Sequence, residues 1–457
     1  MSLVLAVDVG TTCMKCAIVE DGMHSRAVAE MPYPMNIRGG EQRDIDTGHW
    51  WSAFEFCCSS LREFTGDVQA ISFSVSTPGA VLLDPDGEAL SPAVLFLDGR
   101  SKSEAQQIRD LIGEDELLEV TSNLPVSGGC TASTLLWWKN HQPELFKQAF
   151  MFGHTNTLFC KRLTGNWGMD PSTASLTALY NTTTNDGKWN ESIAERLGIP
   201  IEKLPPIINS WVPVGELLPE WSVKLGLPKS IPVLMGGNDA MCAALSGGVT
   251  HEGAILDICG TCEIICIGLG QSLPGRQYNI RCHVIPGLWS TLYVLNTGGK
   301  ALEWFHQNFC RELSSDQFYL DYVPKTIAEY LDSAAAWELP EYEVFLAGDR
   351  YSTEPGYAAL NKLTVETTRE HMLISMIRAN NQYLARHLLE MSGKVKLEPR
   401  IHLTGGGLSE SLIRCKRRWM GEYDYVLRSN SSLLGAAQLA HYHLTGMATW
   451  LFEGEQS

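Results

Sequence analysis

Leu3-Val4-Leu5-Ala6-Val7-Asp8-Val9-Gly10-Thr11-Thr12 is an apolar run that ends on a carboxylate and a glycine-hydroxyl turn, and Lys15-Cys16-Ala17-Ile18-Val19 leads away from it. The first run reads as a buried strand, Gly10-Thr11-Thr12 as a tight turn, and the second run as the returning strand of a hairpin. Much later, Ala254-Ile255-Leu256-Asp257-Ile258-Cys259-Gly260-Thr261 runs into Glu263-Ile264-Ile265-Cys266-Ile267 and repeats the arrangement. Glycine lets the backbone approach an anion closely, while free N–H groups and threonine hydroxyls supply donors to phosphate oxygens. Two such turns at equivalent places in two halves predict a duplicated domain that holds a nucleotide polyphosphate between its copies.

Outward from these turns, the chain has 457 residues, room for two domains with substantial cores. We place the boundary at Gly247-Gly248, giving 1–246 and 247–457. Its 44% hydrophobic and 19% charged residues are ordinary for a globular protein. The apolar runs are strand-length, so no transmembrane helix is expected, and the N-terminus lacks the basic region of a signal peptide. A net charge of −17 argues against nucleic acid or an anionic membrane surface as partner. An acidic protein that binds an anionic nucleotide needs a divalent cation and locally placed donors. Thirteen scattered cysteines, an odd number that includes Cys57-Cys58, fit the reduced thiols of a cytoplasmic enzyme. Cys13-x-x-Cys16 and Cys259-x-x-Cys262 together spell a four-cysteine zinc pattern. Closing such a site would occupy the space the phosphates need, so small apolar filling along hairpin strands is the preferred reading.

Between the turns, Asp46-Thr47 caps a helix with Trp50, Phe54, Cys57 and Leu61 at helical spacing. A strand over 70–75 reaches Thr77-Pro78-Gly79, and 80–83 is closed by Asp84-Pro85-Asp86-Gly87. Val94–Leu97 delivers Asp98-Gly99-Arg100, helices follow over 101–112 and 131–140, and 151–215 reads as loop-rich. Ile231–Met235 is a strand ending in Gly236-Gly237-Asn238-Asp239 before a small-residue helix. Farther on, Gly298-Gly299-Lys300 opens a helix and Thr367-x-x-Glu370 is a capping box for another. Ile401–Thr404 reaches Gly405-Gly406-Gly407 before a helix from Ser409, and Ser432-Leu433-Leu434-Gly435-Ala436-Ala437 starts a tightly packing helix. The alternation implies an α/β architecture with mixed sheets.

Neither a P-loop nor a Rossmann fingerprint is present: Val294 and Ala301 break the first pattern around Gly299-Lys300. Asp8, at a buried strand end, is costly without a partner, and magnesium or its waters would supply one. A turn cap is the plainer role for it. Aligning Gly10 with Gly260 puts Ile258 opposite Asp8, so Asp257 faces the other way and only the first turn handles metal. Asp239 is placed to accept the proton of an attacking hydroxyl in phosphoryl transfer, a helix cap being the plainer role. Asp98 and Arg100 are candidate contacts for polyol hydroxyls, or a solvated turn. Gly405-Gly406-Gly407 before a helix offers a backbone approach for adenosine or an α-phosphate.

Together these features resemble the FGGY carbohydrate kinases, the family of xylulokinase, gluconokinase and glycerol kinase, over nearly the whole chain. Asp8-Val9-Gly10-Thr11-Thr12 and Gly260-Thr261 are similar to its two phosphate motifs. Leu403-Thr404-Gly405-Gly406-Gly407 is similar to its adenosine motif, and Gly236-Gly237-Asn238-Asp239 to the segment with its catalytic aspartate. Glu41-Gln42, Trp50-Trp51, Leu97-Asp98-Gly99-Arg100-Ser101 and Asp170-Pro171-Ser172-Thr173 follow in order. The resemblance implies two ribonuclease-H-like, actin-like domains flanking a deep cleft, with sugar mainly on the N-terminal side and ATP-Mg mainly on the C-terminal side. It implies Asp239 as general base and Asp8 beside magnesium, held through water. Gly10, Thr11, Thr12, Lys15, Gly260, Thr261, Gly299, Gly405, Gly406 and Ser409 become the ATP contacts. Gln42, Thr77, Pro78, Asp98, Arg100 and Asp239 become the acceptor contacts. Where xylulokinases carry Met-His and glycerol kinases Arg-Glu, this chain has Thr77-Pro78, and Ala240 replaces the Asn or Gln after the base. The implied activity is ATP-dependent phosphorylation of a small ketose, xylulose-like, or of a glycerol- or erythritol-type polyol. The altered pocket also admits a catalytically idle sugar or nucleotide sensor, and the reading allows a homodimer.

Overall fold

The computed structural model describes residues 2–333, 337–351, 356–406, 408–428 and 432–448. They fall into two compact units, Met1–Thr250 with Leu269–Ser290 and Asn430–Ser457, and His251–Gly268 with Thr291–Ser429.

The first unit is built on β1 (Leu3–Val9), β2 (Cys13–Glu20), β3 (His24–Pro32), β4 (Ala70–Val75), β5 (Pro213–Glu216) and β6 (Pro232–Leu234). Their order across the sheet is β5-β6-β4-β1-β2-β3. β1 and β2 pair antiparallel from Leu3↔Glu20 to Val9↔Met14, which leaves Gly10-Thr11-Thr12 as the hairpin turn. β4 lies parallel on the other side of β1, Val4↔Ala70 through Val9↔Val75. All six residues of β4 are buried, as a strand covered on both faces requires. One face is covered by α1 (Thr47–Ser60), whose first turn is capped by Asp46 accepting from Gly48 N at 2.8 Å. α1 brings Phe54 to Phe73 of β4 and to Phe159 of α2 (Thr155–Thr164), with ring centroids 6.4 and 5.6 Å apart. The helix Ser432–Thr445 covers the other face, setting Leu433, Ala436 and Ala437 against Ala6, Ala17 and Val19. A smaller sheet carries the strands Asn36–Arg38, Gln42–Ile45, Ala93–Leu95, Gly79–Leu83 and Met151–Gly153 in that order.

The second unit contains β7 (Ile255–Cys259), β8 (Glu263–Leu269), β9 (Trp289–Leu295), β10 (Arg400–Thr404) and β11 (Asp424–Leu427), ordered β9-β8-β7-β10-β11. β7 and β8 form the antiparallel hairpin, while β10 runs parallel to β7 and β11 parallel to β10. The order third-second-first-fourth therefore occurs in both units, with a Gly-Thr turn after the first strand each time. This is the duplicated ribonuclease-H-like α/β topology.

The stretch 151–215 is loop-rich, as read, but α2 lies within it; His154, Thr155, Asn156 and Thr157 are all buried, so polar residues face the core and no apolar period marks the helix. One expectation is corrected. The long helix of the second unit, Arg369–Ser392, is capped one residue later than expected. Thr368 N donates to His371 Nδ1 at 3.2 Å, while Thr367 Oγ1 is taken by Thr364 N at 2.9 Å. Among the described residues no helix is long and apolar enough to cross a membrane.

Phe73 has no solvent exposure and bridges both aromatic helices, with its centroid 5.4 Å from that of Phe159. We expect Phe73→Ala to cost about 3–5 kcal/mol in urea unfolding of the protein. A loss under about 1 kcal/mol would show that this aromatic cluster is not what holds the sheet.

Candidate active site

Strand pairing alone gathers the two candidate carboxylates of the first unit. Asp8 on β1 sits opposite Ser74 on β4, and Gly237-Asn238 pair parallel with Ser74-Val75 on the far side. Asp239 is the next residue, so both carboxylates emerge at the carboxyl ends of the strands on either side of β4, where chain order reverses in an α/β sheet. Gly236 makes the approach possible: its φ is +66°, and a Cβ there would lie 2.0 Å from Phe73 O.

Asp239 opens the helix α3 (Asp239–Ser246), but its cap is Asn238, whose Oδ1 accepts from Met241 N at 3.2 Å. The capping role weighed for Asp239 therefore belongs to its neighbour. Asn238 Nδ2 donates to Thr77 Oγ1 at 2.8 Å and to Asp239 Oδ1 at 2.7 Å, and Ala240 N donates to the same Oδ1 at 2.7 Å. Among the described residues both hydrogen bonds thus fall on one oxygen, and Oδ2 accepts none. Burial pushes the Asp239 carboxyl up to about 6, the Asp8 charge adds to this, and the Arg281 guanidinium opposes it. The residue keeps a partly exposed edge. Burial also raises Asp8, against the hydroxyls of Ser74 and Ser432 and the charge of Lys15. Ser74 Oγ donates to Asp8 Oδ1 at 2.6 Å.

On the acceptor side, Thr77 joins this cluster through Asn238, and its Oγ1 also accepts from Arg281 Nη1 at 3.1 Å. Arg281, on the strand Asn279–Cys282, is 1% exposed and donates to Ser172 O at 2.9 Å. Sequence reading missed it; the signal available was a lone cation inside an apolar strand. His154, bonded to Thr131 Oγ1 at 2.7 Å, is pushed down to about 3 by burial and by Arg281, and is neutral. Asp98 and Arg100 do not form a solvated turn. Arg100 donates from Nε and Nη2 to the two Asp98 oxygens at 2.9 and 2.8 Å and from Nη2 to Asp44 at 2.7 Å. Asp98 also accepts from Arg43 N at 2.6 Å, which commits this pair to a buried ionic network. Gln42 is half-buried at the start of the neighbouring strand. Lys15 is exposed, within 3.7 Å of Glu30.

In the second unit, Gly260 N donates to Cys262 O at 3.0 Å, as Gly10 N does to Cys13 O at 3.1 Å. The start of α4 (Gly299–Phe309) braces this turn, with Gly299 N donating to Gly260 O at 2.9 Å and Lys300 N to Thr261 O at 3.2 Å. Gly405 has φ +118°, and a Cβ there would stand 2.0 Å from Cys259 O. Gly406 is exposed, Gly407 lies outside the described residues, and Ser409 caps the helix Glu410–Met420 through Leu412 N at 3.4 Å. A cleft with about 590 Å³ of empty space, mouth included, opens beside Gly260, Gly298 and Gly299.

Asp257 faces away from the turn, as alignment required, and meets Lys416 Nζ at 2.7 Å; Glu263 bonds the same ammonium. Ligand atoms of Asp257, Cys259 and Glu263 lie within 4.8 Å of one another, but the Lys416 ammonium supplies the cation. Burial pulls Lys416 down, yet Asp257 and Glu263 outweigh it and hold the lysine charged. The zinc reading finds no support in these cysteines. Cys13 and Cys16 are three residues apart on one strand and point to opposite faces, and Cys262 Sγ turns to Asn296 O at 3.3 Å.

The chain belongs to the FGGY family of carbohydrate kinases, whose N-terminal domain model matches residues 3–246. A xylulose kinase of Staphylococcus xylosus is 29% identical over 311 residues, covering 67% of this chain and 64% of that protein. An autoinducer-2 kinase of Klebsiella pneumoniae is 27% identical, covering 68% of this chain and 60% of its own. These matches span less than two thirds of either relative's length. The crystal structure of ligand-bound xylulose kinase from Lactobacillus acidophilus superposes with a TM-score of 0.89 at 21% identity, covering 98% of this chain and 91% of that one. The fold is therefore that of these kinases.

The unfolded chain gives up the Asp239 proton near 3.8, whereas the folded chain holds it to about 6. Folding therefore weakens as pH rises through that window. Asp239→Asn is expected to stabilise the protein at pH 8 by about 1–2 kcal/mol, after allowing for the exposed edge, and to change little at pH 4. Urea titrations at both values check this, and equal effects at the two would contradict it.

Proposed function

We propose that this protein is an ATP-dependent kinase that phosphorylates a hydroxyl of a small sugar, a xylulose-like ketose or a related polyol, with Asp239 as general base. The observation that carries the reading is the Asp239 carboxyl, anchored through one oxygen and free at the other, beside a second buried carboxylate. The names of the relatives support the acceptor class, and the paired Gly-Thr turns support the donor.

Phosphoryl transfer asks the protein for position and for one proton acceptor. Asp239 Oδ2 takes the proton of the attacking alcohol as its oxygen bonds to the terminal phosphorus. The bond from that phosphorus to the bridging oxygen then breaks and leaves ADP. Asn238 fixes the base by holding Oδ1, and its own position is fixed by Thr77. Asp8 suits magnesium, because its buried charge has hydroxyl partners but no ion pair among the described residues. Magnesium held there through water would neutralise charge on the phosphates. In the first unit, Gly10, Thr11, Thr12 and Lys15 offer donors to phosphate oxygens. In the second, Gly260, Thr261, Gly299, Gly405, Gly406 and Ser409 line the nucleotide side. This division assigns the acceptor to 1–246 and the nucleotide to 247–457. Thirteen free cysteines and the nucleotide requirement favour the cytoplasm as its compartment.

An acceptor screen over pentuloses, hexuloses and polyols, read as ATP consumption, tests the proposal directly; ligand binding with no turnover on any acceptor would favour a sensor. On the acceptor found, Asp239→Asn is expected to lower kcat about 10²–10⁴-fold while nucleotide affinity stays nearly unchanged. The wild-type kcat/KM is expected to fall as pH drops through about 6, where Asp239 takes up its proton. Wild-type turnover in the Asn variant would remove Asp239 from the base role.

A further inference from the structure

Arg281 lies on the strand Asn279–Cys282, where all four residues are buried, and only 1% of its surface is exposed. Taking a guanidinium out of water is unfavourable, and an apolar side chain would fill this strand position with less penalty. Its hydrogen bonds lead toward Asp239. Nη1 donates to Ser172 O at 2.9 Å and to Thr77 Oγ1 at 3.1 Å. Thr77 Oγ1 also accepts from Asn238 Nδ2 at 2.8 Å, and Asn238 N donates to Ser172 Oγ at 2.9 Å. The four residues therefore close a ring that runs from Arg281 through Thr77, Asn238 and Ser172 back to Arg281.

Each member comes from a different segment of the chain, and Thr77, Ser172 and Asn238 are buried as Arg281 is. Asp170 anchors the ring from outside by accepting from Ser172 N at 2.8 Å. Asn238 is the member that touches Asp239: the Nδ2 group that donates to Thr77 also donates to Asp239 Oδ1 at 2.7 Å. Its own Oδ1 accepts from Met241 N at 3.2 Å, so the amide cannot turn over without losing all three bonds. A hydroxyl has two acceptor positions, and Arg281 and Asn238 fill both on Thr77. Thr77 stands where xylulokinases carry methionine, and a thioether is only a weak acceptor. The departure at 77 thus adds a bond that ties the buried cation to the anchor of the base.

We propose that Arg281 is a positioning residue for the reaction: through Thr77 it fixes Asn238, and with it the direction in which Asp239 presents its free oxygen to the acceptor hydroxyl. The inference rests on Asp239 as general base and extends that reading to a residue distant in sequence. The Arg281 charge acts in the same sense, since it favours the ionised carboxylate that can take a proton. A base held at the wrong angle slows the chemical step and leaves binding of the acceptor largely alone.

The test is steady-state kinetics of the full-length protein, on the acceptor found by screening, for Arg281→Met, Arg281→Lys, Thr77→Val, the Met–Val double variant and Asp239→Asn. Arg281→Met is expected to lower kcat about 10- to 100-fold, with KM and ADP affinity little changed. Arg281→Lys, which keeps a cation and a donor, is expected to recover part of that loss. Because Arg281 acts through Thr77, the double variant is expected to be no slower than the slower single variant. Thermal unfolding shows whether each variant is folded; should Arg281→Met unfold, the same cycle is run with Arg281→Lys. Wild-type kcat in Arg281→Met, a change confined to KM, or losses that multiply in the double variant would overturn the proposal while Asp239→Asn remains slow. Full turnover in Asp239→Asn would instead remove the base, and this inference with it. No turnover by wild type on any acceptor would sink the kinase reading and the positioning role together.

Discussion

Two half-buried carboxylates, Asp8 and Asp239, are forced into one corner of the first unit. Left to solvation and repulsion, they would separate. Backbone pairing prevents it: β4 accepts β1 on one edge and Gly237-Asn238 on the other, so both acids arrive at strand ends on either side of β4. The aromatic packing of Phe54, Phe73 and Phe159 behind β4 makes that pairing costly to undo. The constraint appears in the proton affinity of Asp239, raised to about 6 by burial and by the Asp8 charge.

The second unit repeats the topology but not the chemistry. Ile258 stands where Asp8 stands in the first, and the neighbouring Asp257 points to the other face, into an ion pair with Lys416. Asp257 and Glu263 both bond the Lys416 ammonium, so these two buried acids are neutralised within the unit. What this unit presents instead is backbone: the turn at Gly260-Thr261, braced by Gly299 and Lys300, and the glycine at 405 lying against Cys259.

Much of this was legible in linear form. The two hairpins, the α1 cap at Asp46, the strand into Gly236-Gly237-Asn238-Asp239 and the helix after Ser409 all follow from local turn and cap chemistry. Apart from the shifted cap at Thr368, the misses share one cause, which is polar residues facing inward. The buried polar start of α2 hid a helix, and Asp98 and Arg100 look like a solvated turn until Asp44 and Arg43 close around them. Arg281 offered only the signal of a lone cation within a strand, and its partners Thr77 and Ser172 lie far away in the chain.

The sequence by itself determined the duplicated α/β plan, the two phosphate-type turns and the identity of the acids, since these depend on residue type and short-range spacing. Only the tertiary structure decided which acid has a free oxygen and which cations meet which carboxylates. Those properties arise from burial and from contacts between residues distant in sequence, and neither is encoded at any single position.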